Sequence, residues 1–110
     1  SAASDVYKRQ IIDALKIINT IDNKETKSTE IGYRIEDGNG TIIVPEILSN
    51  VSGINEWRNL TLDLGTYYIK NTKVPSGVTL LAEPIELNVT ETTPITKTLV
   101  VNLTKGFELP

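Results

Sequence analysis

Apolar and polar residues alternate over short segments through most of this chain, which is the pattern of half-buried β-strands. The clearest case is Gly32–Glu36, followed by an apolar returning segment, Thr41–Val44, which Pro45 is expected to end. Between them lies Asp37–Gly40, whose glycines and asparagine accept the positive φ of a tight turn. The sequence therefore predicts a β-hairpin at this point.

The rest of the chain continues the strand pattern. The apolar segment from Ile11 to about Ile21 fits a helix or a strand by periodicity, but its β-branched residues favour a strand. The polar segment Asn23–Glu30 is predicted to be a loop, and Pro75–Gly77 a turn. Further strands are predicted at Glu56–Leu60, Thr66–Lys70, Val78–Leu81, Ile85–Val89 and Leu99–Leu103. About seven short strands separated by turns predict an all-β fold, an immunoglobulin-like β-sandwich.

Composition narrows the range of functions. The chain has 110 residues and a formal net charge of −3, with 11 Lys and Arg against 14 Asp and Glu, and no basic cluster that would bind nucleic acid or an anionic membrane. It has no Cys and no His, which excludes disulfides, thiolate metal sites and His-based catalytic triads. No apolar run is long enough for a membrane span. We therefore expect no enzymatic activity, no cofactor and no metal site.

The first ten residues differ from the remainder. They are small and polar, show no strand pattern and resemble translated adapter sequence, so residues 1–10 are expected to be a non-native or disordered leader. A natural linker or a frayed helical start is the alternative. Residues 11–104 are then expected to form the sandwich, and residues 105–110 to begin a different segment.

Two motifs carry a resemblance to a known family. Asn59-Leu60, the segment Leu64–Asn71 with its Gly65-Thr66-Tyr67-Tyr68 core, and Pro75-Ser76-Gly77 resemble a hallmark of the Cna-B/SpaA-type prealbumin-like domains. The ending, from Val100-Val101-Asn102 to Leu109-Pro110, resembles the lead-in to a sortase sorting signal of the LPXTG type, cut after its proline. The two motifs lie at the expected separation, and the resemblance covers residues 11–110.

This resemblance implies a secreted protein at the cell wall of a Gram-positive bacterium. Such a module would be a stalk or pilin component that supports adhesion, and the parent protein would be joined by a sortase to peptidoglycan or to other pilin subunits. Two alternatives remain. The first is an adhesin domain that binds host matrix protein or glycan, suggested by Trp57 and the long segment Pro45–Asn55. The second is an accessory domain of a secreted enzyme.

Many members of this family carry an internal Lys–Asn amide bond that a buried acid assists. Here the resemblance offers Asn102 on the last strand and Lys16 on the first strand. However, aligning Ile21-Asp22 with the family's Lys-Val-Asp motif puts Thr20 at the usual lysine position, and Asn71 replaces the acid. A carboxamide cannot shuttle a proton as a carboxyl group does. We therefore predict that the bond is absent.

Overall fold

The computed structural model describes residues 8–106, and every regular element in that range is a β-strand. The strands are β1 (Arg9–Ile12), β2 (Leu15–Ile21), β3 (Lys24–Glu25), β4 (Gly32–Asp37), β5 (Ile42–Leu48), β6 (Ile54–Trp57), β7 (Leu60–Asp63), β8 (Gly65–Lys73), β9 (Val78–Thr79), β10 (Ile85–Val89) and β11 (Lys97–Lys105). The prediction of an all-β fold is confirmed. The described chain contains no helix, so none that could span a membrane.

The strands form two main sheets. One sheet has the order β10-β8-β4-β5; the other has the order β3-β2-β11-β9, with β6 also paired to β2. A separate pair joins β1 to β7. Each main sheet turns one apolar face inward, and these faces meet in a single core because apolar surface is most stable away from water. The core consists of Ile12, Leu15, Ile17, Ile31, Tyr33, Ile35, Trp57, Leu60, Leu62, Tyr67, Ile69, Leu87, Val89, Val101 and Leu103.

The predicted hairpin is confirmed. β4 and β5 pair antiparallel, and the carboxylate of Asp37 accepts hydrogen bonds from the backbone N–H groups of Asn39 and Thr41, at 2.8 and 2.9 Å. The expected end of the strand at Pro45 is wrong, because β5 continues to Leu48. Within residues 8–106, β5 pairs only with β4 and forms an edge of its sheet, where a residue without an N–H group is tolerated.

The predicted first strand, from Ile11 to Ile21, consists of two strands with different partners. β1 pairs with β7, whereas β2 pairs with β11, β6 and β3. β1 begins at Arg9, so Arg9 and Gln10, assigned above to the leader, pair with Asp63 and Leu62 in the sheet. Residues 1–7 lie outside the described range.

Two further boundaries differ from the prediction. The predicted strand Glu56–Leu60 is divided between β6 and β7, because Asn59 adopts a positive φ of 53° that a strand cannot contain. The predicted loop Asn23–Glu30 contains the two-residue strand β3. Such short pairings depend on tertiary contacts and leave no periodic signal in the sequence.

Gly53 lies where two backbone segments approach closely. Its φ is +73°, and a Cβ atom there would lie 2.0 Å from the backbone oxygen of Thr26. Its carbonyl oxygen accepts hydrogen bonds from the backbone N–H of Asn19, at 3.3 Å, and from the Asn19 side chain, at 2.8 Å. Only glycine satisfies both the conformation and the space, so Gly53 holds the β5–β6 loop against β2.

We predict that Gly53→Ala lowers the free energy of unfolding by about 3–5 kcal/mol, combining left-handed backbone strain with an overpacking cost. Gly40→Ala is the matched control, because Gly40 also has a positive φ, +80°, but nothing lies within 4 Å of its Cβ position. Its expected cost is about 1–2 kcal/mol. Urea unfolding of both variants measures the difference, and equal costs would contradict the contact with Thr26.

Candidate functional site: the paired first and last strands

The strands that carry the candidate bond residues, β2 and β11, lie side by side. They pair in parallel over seven positions, from Lys97 opposite Leu15 to Leu103 opposite Ile21. Lys16 lies opposite Thr98, and Asn102 lies opposite Thr20. Four residues therefore separate Lys16 from Asn102 along the pair, which is about 13 Å at the rise of a parallel strand. The structure does not bring these two candidate residues together.

Asn102 instead contacts the residue that the family alignment puts at the lysine position. Its side-chain oxygen accepts a hydrogen bond from the Thr20 hydroxyl at 2.9 Å and another from the backbone N–H of Asn23 at 2.7 Å. Asn102 is exposed, whereas its neighbours Val101 and Leu103 face the core. In this position Asn102 connects β11 to β2 and to the turn that follows β2.

Asn71, at the position of the family acid, is buried, and both its amide nitrogen and its amide oxygen form hydrogen bonds. Its Nδ2 donates to the backbone oxygens of Gly32, at 2.9 Å, and Lys73, at 3.1 Å. Its Oδ1 accepts a hydrogen bond from the backbone N–H of Leu81 at 3.1 Å. A carboxylate here would place negative charge against two carbonyl oxygens. Asn71 therefore fits the structural role of connecting β8, β4 and the segment after β9.

A buried polar cluster, which the sequence reasoning missed, lies between the two sheets. Asn19 on β2 accepts a hydrogen bond from the Tyr33 hydroxyl at 2.6 Å and donates one to Oδ1 of Asn55 on β6 at 2.8 Å. Asn55 donates in turn to the backbone oxygens of Ile31, at 2.9 Å, and Ile47, at 3.3 Å. We call Asn19, Tyr33 and Asn55 the inter-sheet cluster.

The alternation in β2 contained a signal for this cluster. Leu15, Ile17 and Asn19 lie two residues apart and therefore on one face of the strand. A polar residue on an apolar face needs a buried partner, because an unpaired buried amide is costly. Asn19 comes directly before Thr20, the position that the family alignment gives to lysine. The residue of β2 that points into the core next to this position therefore carries a carboxamide and not an amine.

Burial also determines the chemistry of Tyr33. Its side chain has no exposed surface, and desolvation of the phenolate raises the pKa of Tyr33 well above the ordinary value of 10.0. The hydroxyl therefore remains protonated and donates its hydrogen bond to Asn19. The amides and hydroxyl of the inter-sheet cluster form hydrogen bonds and supply neither a nucleophile nor a base.

Other candidate chemistry is limited in the described residues. Within residues 8–106, no group of three or more His, Cys, Asp or Glu side chains is placed to hold a metal ion. Trp57 is 4% exposed and lies in the core, as does Tyr67, whereas Tyr68 on the opposite face of β8 is half-buried. Leu109 and Pro110, the expected remnant of the sorting motif, lie outside the described residues.

Two sheets packed face to face, with the first and last long strands paired in parallel, define a β-sandwich module of the prealbumin-like class. Residues 14–104 match the family model described as "SpaA: Prealbumin-like fold domain". The chain belongs to this family, and the predicted resemblance to SpaA-type prealbumin-like domains is confirmed. A search of the curated proteins found no match.

Solved structures with the same fold include pilins. The BcpA*(D312A) major pilin subunit of Bacillus cereus is 22% identical with a TM-score of 0.66, and the alignment covers 86% of this chain and 30% of that one. For the group B streptococcus pilus 2b backbone protein, identity is 16% and TM-score 0.65, with 86% and 42% covered. For GBS52, the minor pilin of Streptococcus agalactiae, identity is 15% and TM-score 0.64, with 94% and 48% covered. This chain therefore spans less than half the length of each.

We predict that Tyr33→Phe lowers the free energy of unfolding by about 1–3 kcal/mol, because Asn19 Oδ1 loses its donor while it stays buried. Tyr68→Phe is the control, since Tyr68 is half-buried on the outer face of β8, and it should change stability little. Thermal and urea unfolding measure both variants.

The same pair of proteins tests the protonation of Tyr33. Because the folded pKa lies above the unfolded value of 10.0, the stabilisation is complete below that pH and is lost as the pH rises above it. The advantage of the wild type over Tyr33→Phe should shrink by up to about 1.4 kcal/mol per pH unit above this point. A constant advantage through the alkaline range would show that Tyr33 ionises as readily in the fold as in the unfolded chain.

We predict that the intact mass of the folded chain equals the mass calculated from its sequence. Formation of a Lys–Asn amide bond releases one ammonia, so a bonded chain would be lighter by about 17 Da. Lys16→Arg, which cannot form this bond, provides the reference, and both proteins should show no ammonia loss. A deficit in the wild type alone would identify Lys16 as a bonded amine.

Proposed function

We propose that this chain is a structural module in the stalk of a pilin or another wall-anchored surface protein of a Gram-positive bacterium. The observation that carries the proposal is the parallel pairing of β2 with β11. In parallel strands, the chain enters the first strand and leaves the last strand at opposite ends of the sheet. A module of this kind fits end to end with others in a longer chain.

The surface of the described chain supports a structural role. Its ion pairs are few, and most involve exposed side chains, such as Arg9 with Asp63 and Lys73 with Glu30. Its buried amide and hydroxyl side chains bond to each other or to the backbone. Among the described residues, the indole N–H of Trp57 is a buried polar group without a hydrogen-bond partner. We expect such a module to lack catalytic activity and to transmit tension and set spacing.

Secretion and anchoring belong to the parent protein in this proposal. A sortase would join the parent to peptidoglycan or to other pilin subunits, and the sequence Leu109-Pro110 would begin the sorting motif. Adhesion would come from domains that the stalk holds away from the cell. The alternative, direct binding of host protein or glycan by this module, loses its main residue because Trp57 is buried.

We predict that antibodies against this 110-residue chain detect the parent protein in the wall fraction of the producing cells. The signal should resist boiling in detergent and be released by a peptidoglycan hydrolase, because a covalent attachment survives denaturation. In a sortase-deficient strain the signal should move to the membrane fraction and the medium.

Detergent-soluble protein in the cytosol of wild-type cells would contradict the proposal. An array of matrix proteins and glycans, probed with the same chain, distinguishes the alternative. Specific binding that Tyr68→Ala or another surface substitution abolishes would favour an adhesin domain.

A further inference from the structure

The arrangement of β2 and β11 also determines how the pair would respond to tension on the chain. The two strands run parallel over seven residue pairs. Tension between the two ends of the chain pulls β2 from its Leu15 end and β11 from its Lys105 end. These ends point in opposite directions along the strand axis, so the strands are drawn past each other.

This geometry determines how the hydrogen bonds share the tension. The bonds of a parallel pair are evenly spaced along the strands. When the strands slide lengthwise, all of these bonds are stretched together, and several must break in one event. When two strands are peeled apart from one end, their bonds break one after another under a smaller force.

Contacts at both ends of the pair add resistance to sliding. At the Lys105 end, the backbone N–H of Asp22 donates to the Leu103 oxygen at 2.8 Å, and the N–H of Lys105 donates to the Asp22 carboxylate at 3.2 Å. Asn102 bonds Thr20 and Asn23 beside them. At the opposite end, the N–H of Lys97 donates to the Ala14 oxygen at 2.9 Å.

The strand that precedes β2 is held less firmly. β1 pairs with β7 over four positions, and Arg9 reaches the Asp63 carboxylate at 3.3 Å. β1 lies between the amino-terminal attachment and β2, so tension from that side reaches it first. Its release lengthens the chain by only a few residues and leaves the β2–β11 pair intact.

We propose that the β2–β11 pair is a shear clamp that sets the force at which this module unfolds, so that the stalk lengthens above a threshold tension and refolds when the tension falls. This inference rests on the proposed function, since it places the module under tension between its two ends. The shear clamp requires that no covalent bond joins β2 to β11. Such a bond would prevent the residues between the two strands from extending at any force.

The expected lengthening follows from the chain between the two strands. Rupture of the clamp frees roughly 90 residues, which extend to about 3.5 Å each, so the length gain is about 30 nm per module. A smaller step of about 2 nm, from the release of β1, should precede it. A module with a bond between the first and last strands would show neither the large step nor refolding after it.

Single-molecule stretching of the full 110-residue chain tests the clamp by changing only the direction of pulling. In the first geometry, handles hold the two chain ends and load the clamp in shear. In the second, the handles hold the amino-terminal end and the thiol of Ile95→Cys, the sole cysteine in the chain, at an exposed position just before β11. This second geometry peels the pair from its Leu15 end, and the peak force should fall several-fold.

A matched pair of asparagine variants tests the contacts. Asn102 and Asn88 are both exposed strand residues that accept a hydrogen bond from a threonine hydroxyl, at 2.9 and 2.8 Å, but Asn88 lies on β10 outside the clamp. Asn102→Ala should lower the peak force in the shear geometry, and Asn88→Ala should leave it unchanged. Thermal unfolding establishes that each variant is folded.

Equal peak forces in the two geometries, or equal effects of the two asparagine variants, would overturn the clamp. Absence of the 30 nm step would also overturn it. None of these results bears on wall attachment, which the fractionation experiment measures independently. Conversely, a strong clamp in a protein that is not attached to the wall would leave the mechanical strength of the β2–β11 pair established, but it would remove the proposed function and, with it, the role of the clamp in a stalk.

Discussion

The parallel contact between β2 and β11 is the constraint on which the rest of the structure depends. It joins residues about eighty positions apart in the chain and completes one of the two sheets. That sheet presents Leu15, Ile17, Val101 and Leu103 to the core, where they meet the apolar face of β4, β8 and β10. Without this pairing neither sheet could cover the other, because the first and last strands would each leave an apolar face in water.

Buried amides give the two sheets a defined alignment. The inter-sheet cluster connects β2, β4 and β6, and each amide or hydroxyl in it meets a partner of complementary hydrogen-bonding capacity. Apolar contacts alone tolerate small shifts of one sheet over the other, whereas a buried hydrogen bond is lost when its partner moves. The buried hydrogen bonds of the inter-sheet cluster therefore fix how one sheet lies over the other.

Local patterns predicted much of this fold. The hairpin at Asp37–Gly40 and the strand after Gly65 follow from turn chemistry and alternation, which act over a few residues. The division of the first strand, the passage of β5 through Pro45 and the register of β2 against β11 depend on partners far away in the sequence. At the candidate site, the motif alignment identified Thr20, Asn71 and Asn102, but it did not show which of these residues faces the core. Alternation in β2 identifies Asn19 as inward-facing, whereas its partners Tyr33 and Asn55 become evident only once the sheets are assembled.

Pro45 has a consequence for how copies of this module behave when they are crowded. Among the residues that the structure describes, β5 has no strand partner on one side of its backbone, and its Ile42 and Ile43 are 51% and 40% exposed. A strand of a neighbouring chain can pair with an edge of this kind and extend the sheet, which is a route to aggregation. Because Pro45 has no N–H group and stands in the middle of β5, it interrupts the row of donors that an incoming strand would need. This break in the donor row disfavours edge-to-edge pairing between neighbouring modules.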